Sequence, residues 1–157
     1  MQDFVDHWFD HLPLLKGLLK DKGERQQIEM LQLLCRRVAA EQELVLYEMR
    51  QLAHNYEAAY KPPRVMSLKL RNVNGHTRVS WRLPKRGAQT YIRPFQTQQG
   101  WEVIKRLPLS MIRELQQFET SRMVVNWHAT LLTQILTTTQ QLLDGIDASA
   151  GMTRRQP

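Results

Sequence analysis

Three features of the sequence predict a mostly helical α+β fold, with a short N-terminal helix, two long antiparallel helices and a central antiparallel hairpin or small sheet of two to three strands. Two stretches of more than thirty residues repeat their apolar positions at steps of three and four, the period of an amphipathic helix. Between them the pattern changes to strict alternation around Asn74-Gly75, the period of a strand pair. The 157 residues, 42% hydrophobic and 24% charged, are enough for one globular core and too apolar for wholesale disorder.

In chain order, Phe4, Val5, Trp8 and Leu12 share one face of a short helix, and Pro13 opens a further helical turn over Leu14 to Lys20. Lys22-Gly23 is the break. From Glu24 to about Tyr60 the positions Ile28, Leu31, Cys35, Val38, Val45 and Met49 continue one seam through Leu52, Tyr56 and Ala59, interrupted at Gln42. Lys61-Pro62-Pro63 ends that helix, because the residue before a proline is driven out of the helical region. Met66, Leu68 and Leu70 then alternate with Ser67, Lys69 and Arg71, and Thr77, Val79, Trp81 and Leu83 alternate with Arg78, Ser80 and Arg82. A two-residue loop at Asn74-Gly75 sets Leu70 opposite Val79, Leu68 opposite Trp81 and Met66 opposite Leu83, all apolar, with Arg71 opposite Arg78 on the other face. After a turn at Lys85-Arg86-Gly87, Gln89 to Arg93 reads as a third strand stopped by Pro94. Gly100 precedes a short helical piece, Trp101 to Leu107, and Pro108 precedes a second long helix over Leu109 to Leu143. Its expected buried set is Ile112, Leu115, Phe118, Val125, Leu132, Ile135, Leu136, Leu142 and Leu143, with Trp127 also read as core. Asp144-Gly145 is the expected stop. The expected organisation is one domain over 1–147 (helices 3–60, basic hairpin region 64–95, helices 101–144) with a flexible tail at 148–157.

Charge is distributed unevenly. Residues 1–60 carry a net of −3, residues 61–106 carry eleven Lys/Arg against Glu102 alone for a net of +10, and residues 107–157 are neutral. A basic segment nearly free of acids is what a polyanion partner selects, because neutralising phosphates releases counterions. The expected nucleic-acid contacts are Lys69, Arg71, Arg78, Arg82, Lys85, Arg86 and Arg93: arginine forks grip phosphates with paired donors, and a two-stranded ribbon fits the major groove. Tyr91 and Phe95 beside Arg93 offer stacking surfaces for single-stranded bases. Like charges directly opposite on a ladder are destabilising, so the Arg71–Arg78 pairing calls for an anion or for an acid reaching across from another element.

Catalysis is not expected. No nucleophile elbow, phosphate-cradling glycine loop or HExxH motif occurs. His7 and His11 lie one helical turn apart near Asp3 and Asp10 but lack a third ligand, so neither a metal nor any other cofactor is implied. Glu119, Arg122 and Asn126 fall on one flank of the last helix and read as a polar contact that locks the helix, since a carboxylate beside a guanidinium makes a poor general acid. Cys35, the single cysteine, can form neither an internal disulfide nor a thiolate cage, which fits a reducing cytoplasm. Met1-Gln2-Asp3-Phe4 has no export-signal pattern, no apolar run reaches bilayer length, and no membrane partner is expected.

The run Leu15-Lys16-Gly17-Leu18-Leu19-Lys20 with Lys22-Gly23-Glu24 resembles the opening signature of a small family of accessory proteins encoded on bacterial integrating conjugative elements. Ser80-Trp81-Arg82 and the late helix with Glu119, Arg122, Asn126 and Leu131-Leu132 are similar to it too, so that about half of the chain is covered. Some members are labelled integrase regulators. The resemblance implies a cytoplasmic accessory protein of a mobile element acting in maintenance, excision control or transfer, and carries over no catalytic residue. The expectation is therefore a non-enzymatic accessory or regulatory protein that binds nucleic acid, DNA in preference to RNA, through its basic hairpin. The alternative is an interaction module in which the long-helix seam around Gln42 pairs with a second copy or with another mobile-element protein.

Overall fold

The computed structural model describes residues 23–83 and 90–153. Its elements are α1 (Glu24–Ala59), β1 (Ser67–Val73), β2 (His76–Arg82), β3 (Tyr91–Ile92), α2 (Gln98–Ile104) and α3 (Leu109–Thr153), a mostly helical α+β arrangement with a three-stranded antiparallel sheet in the order β1-β2-β3. The helix expected before Gly23 lies outside the described residues. No helix among the described residues is long and apolar enough to cross a membrane.

Among the described residues, Glu41–Thr133 belongs to one compact unit, and 23–40 with 134–153 belong to another. In the second of these, Leu31 and Val38 of α1 and Thr139 and Leu143 of α3 are buried. Thr139 meets its hydroxyl's demand inside the helix, donating to the Ile135 carbonyl at 2.7 Å.

α1 begins where Gly23 offers its carbonyl to the amides of Gln26 (2.9 Å) and Gln27 (3.3 Å), the N-cap role that glycine tolerates. It ends before the two prolines, and Arg64 closes that end by donating to the carbonyls of Tyr60 and, at 2.9 Å, Glu57. A cation on the last carbonyls also faces the negative end of the helix dipole. Arg64 thus serves the end of α1.

The hairpin register is the one that the alternation predicts: Leu68 opposite Trp81, Leu70 opposite Val79 and Arg71 opposite Arg78. Asn74 (φ 53°) and Gly75 (φ 82°) both take positive φ, as a type I′ turn requires. Met66, Leu68, Val79, Trp81 and Leu83 are buried, whereas Leu70 keeps part of its surface.

Within Glu41–Thr133, α1 and α3 run antiparallel under this apolar face. Tyr60 donates to Glu114 at 2.6 Å near one end and Gln42 Nε2 to Thr133 Oγ1 at 3.3 Å at the other. The Gln42 seam is accordingly filled by α3 of the same chain. Tyr56 joins three elements: its ring meets Trp81 (5.1 Å, 82°) and Phe118 (5.3 Å, 88°) edge-on, and its hydroxyl donates to the Met66 carbonyl at 2.9 Å. Edge-to-face pairs of this kind add about 0.5–1.5 kcal/mol each beyond area burial. Burial pushes the Tyr56 phenol up to about 12.

Four expectations need correction. α3 runs through Gly145 to Thr153, so the stretch 148–153 is helical rather than a tail. A lone helical glycine costs only about 1 kcal/mol against alanine, and no proline follows to stop the helix there. Leu142 and Trp127 of α3, read as core, are 54% and 56% exposed, because the inward arc is taken by neighbours such as Leu132 and Leu143. α2 starts at Gln98 instead of Trp101: Thr97 is the cap, its hydroxyl accepting from the Gly100 amide at 3.1 Å. The third strand is two residues long, Tyr91–Ile92; Gln89, where it was expected to begin, lies outside the described residues.

Candidate nucleic-acid interface

Alternation places Lys69 and Arg71 of β1 and Arg78 and Arg82 of β2 on the sheet face opposite Trp81 and Val79. Four of the seven expected contacts therefore share one surface. Arg93 is exposed just beyond β3, and Lys85 and Arg86 lie outside the described residues.

Each cation on this face is held differently. Lys69 forms an ion pair with Glu57, reaching across from α1. That hydrogen bond from the ammonium holds the Glu57 carboxyl below its ordinary range. The acid required by the register is thus present, but it is matched to Lys69 and not to the arginines. The directly opposed pair separates: Arg71 donates from Nε to Ser80 Oγ at 3.2 Å and lays its guanidinium over the Tyr91 ring at 4.4 Å from the centroid. Arg78 turns the other way, to 3.5 Å from Thr130 Oγ1. Arg82, half-buried and opposite both Ser67 and Tyr91, has no carboxylate partner among the described residues. Among the described residues the face holds four cations against one carboxylate, and its three arginines have no carboxylate partner.

The side on which this face rests is held by the polar residues of α3. Glu119 accepts from the Trp81 indole N–H at 2.6 Å and receives Arg122 bidentately, at 2.7 Å and 2.8 Å. The trio read as a contact within one helix therefore fastens α3 to β2. Asn126 supplies the second link: its Oδ1 accepts from the Val79 amide at 2.9 Å and its Nδ2 donates to the Val79 carbonyl at 2.8 Å. Extending the β2–β3 register from Trp81↔Ile92 by two residues brings Pro94 opposite Val79. Proline has no N–H to give, so the ladder cannot continue there, and the carboxamide of Asn126 replaces the missing strand residue with one donor and one acceptor. Asn126→Ala is expected to cost about 1–3 kcal/mol, the penalty of leaving strand groups unpaired, and to accelerate hydrogen exchange at the Val79 amide selectively. Exchange at Val79 no faster than at its strand neighbours would show that this link is dispensable.

His128, buried on α3, is held below its ordinary pKa by desolvation, opposed by the fields of Glu48 and Glu41. Among the described residues no group of three or more His, Cys, Asp or Glu side chains could hold a metal; His7 and His11 lie outside them. Sequence reasoning missed Glu57, Ser80 and Thr130 as partners of the basic face. Glu57 alone had a signal, being an acid close to the end of α1 and therefore close to the start of the sheet.

Comparison with protein-family models, with curated proteins and with solved structures finds no match to this chain.

Proposed function

We propose that this is a non-enzymatic accessory or regulatory protein that binds nucleic acid, DNA in preference to RNA, through the basic face of its sheet. The resemblance to proteins of integrating conjugative elements supplies the setting, a bacterial mobile element. The observation that carries the reading is that Arg71, Arg78 and Arg82 share one sheet face on which, among the described residues, Lys69 alone is paired with a carboxylate. Arginine forks bind phosphate oxygens with paired, charge-assisted hydrogen bonds, and a phosphate would supply these three with the counter-charge that no carboxylate among the described residues gives them. The Arg71–Tyr91 stack adds a flat guanidinium surface on which an unpaired base can lie.

The test is a salt-titrated binding measurement with single- and double-stranded DNA of equal length. Three phosphate contacts on duplex predict a slope of about −2.7 in log K against log salt, or an affinity loss of about 40-fold between 50 and 200 mM. Replacing Arg71, Arg78 and Arg82 together by alanine is expected to remove most of that slope and weaken binding to all sequences alike. Unchanged affinity and slope in the triple variant would reject the reading.

A further inference from the structure

Where the chain leaves α1 through Pro62-Pro63, and where Leu107 leads into α3, the two stretches border a cavity of about 240 Å³ within Glu41–Thr133. Its apolar lining comes from Met66 and Leu115, both buried, and from Leu107 and Met111, both half-buried. Two methionines suit such a wall, since an unbranched thioether adapts to the shape of what it meets. Val65, also in the lining, keeps 40% of its surface. Two cations, Lys61 and Arg64, and two tyrosines, Tyr56 and Tyr60, supply the polar side, and among the described residues no acid lines it. Both phenol protons are spent inside the protein, on the Met66 carbonyl and on Glu114. The donors left for a ligand are the cations.

We propose that this cavity binds a small carboxylate with an apolar body, such as a medium-chain fatty acid, one molecule per chain. Arg64 selects the head group. Its Nε and Nη2 each donate to a backbone carbonyl, of Tyr60 and of Glu57, which fixes the guanidinium and leaves donors at its Nη1–Nη2 end. No carboxylate among the described residues pairs with it. A carboxylate can take two parallel N–H bonds from such a fork, and the exposed Lys61 adds a second positive charge. The acids attached to these groups are already engaged, Glu57 with Lys69 and Glu114 with the Tyr60 hydroxyl. At about 30 Å³ for each water, the volume corresponds to about eight waters, or to a ligand of about eight to ten non-hydrogen atoms. Octanoate is of that size; a two-chain lipid is not.

Calorimetric titration of the full chain with octanoate tests this, and spectra of isotope-labelled methionine methyls locate the site. One molecule per chain is expected, with a dissociation constant of about 0.1–1 mM. The methyls of Met66 and Met111 are expected to shift and that of Met123, outside the lining, to stay. Octylamine, with the same chain and the opposite charge, is expected not to bind. Each methylene from hexanoate to octanoate is expected to tighten binding about fourfold, and dodecanoate to gain nothing further, since the cavity is then full. Arg64→Gln is expected to weaken octanoate binding about tenfold. Because Arg64 also closes α1, Met111→Trp is the second variant: it fills the cavity and is expected to abolish binding with helical circular dichroism unchanged. Equal binding of octylamine, a shift at Met123 as large as those at Met66 and Met111, octanoate binding undiminished by Met111→Trp, or no binding up to about 10 mM octanoate would each overturn the proposal. Neither Lys61 nor Arg64 is among the arginines and lysine of the basic sheet face, so this titration and the DNA titration can fail separately.

Discussion

Replacing Glu119 by alanine is expected to destabilise the protein by about 3–5 kcal/mol, the largest single-residue effect anticipated away from the apolar core. The carboxylate is buried, and it satisfies the Trp81 indole N–H and both donors of the Arg122 fork. Its removal leaves a guanidinium whose side chain is only 15% exposed without its counter-charge, as well as an unpaired indole donor. At about 2–4 °C per kcal/mol for a chain of this size, the melting temperature should fall by roughly 10 °C or more. The comparison that isolates the cause is Glu119→Leu against the pair Glu119→Leu with Arg122→Leu. Removing both charges is expected to cost less than removing the acid alone, leaving mainly the unpaired indole N–H, at about 1–3 kcal/mol. A double variant less stable than the single one would show that the energy lies in packing and not in the charge pair.

Gly100→Ala is expected to act against the ordinary helix scale. Alanine normally stabilises a helical position by about 1 kcal/mol over glycine. Here a Cβ would stand 2.4 Å from the Arg93 carbonyl oxygen and 2.5 Å from Pro94 Cα, both backbone atoms that no rotamer change can move. The Arg93 carbonyl already accepts from the amides of Gln96 and Thr97, each at 3.1 Å, and from the Thr97 hydroxyl at 3.0 Å. Room for a methyl group therefore requires α2 to separate from the end of β3, breaking the turn that places Thr97 as its cap. A loss of about 3 kcal/mol is expected, at the upper end of overpacking costs, with faster hydrogen exchange concentrated in residues 91–104. Stabilisation, or a loss with no local change in exchange, would refute this account.

Among the elements, those legible in the sequence were those whose cause is local. Asn74-Gly75 requires positive φ at both residues, and that alone sets the β1–β2 register and hence which arginines share a face. The double proline after α1 and Pro94 after β3 remove helix and ladder possibilities at a single position, so those two boundaries were readable as well. Gly145 was misleading for the converse reason, since glycine permits a helix end without forcing one. Trp127 misled because apolarity at a helical spacing does not say which arc of a helix is covered. In the candidate site the residue types were visible and their pairings were not: Lys69 to Glu57, Arg71 to Ser80 and Tyr91, Arg78 to Thr130.

By itself, then, the sequence determined the two long helices and the Asn74-Gly75 hairpin with its register, the alternation that makes one sheet face apolar and the other basic, and the concentration of positive charge in the middle of the chain. These follow from steric and hydrogen-bonding preferences that act over a few residues. Only the tertiary structure decided that Asn126 would stand in for a strand residue that proline cannot supply, that Glu119 would bind Trp81 38 residues away, and that Glu57 would pair with Lys69 while Arg71 and Arg78 turned to Ser80, Tyr91 and Thr130. Such contacts depend on which surfaces meet once apolar faces are buried, and nothing in the local spacing of the residues encodes that meeting.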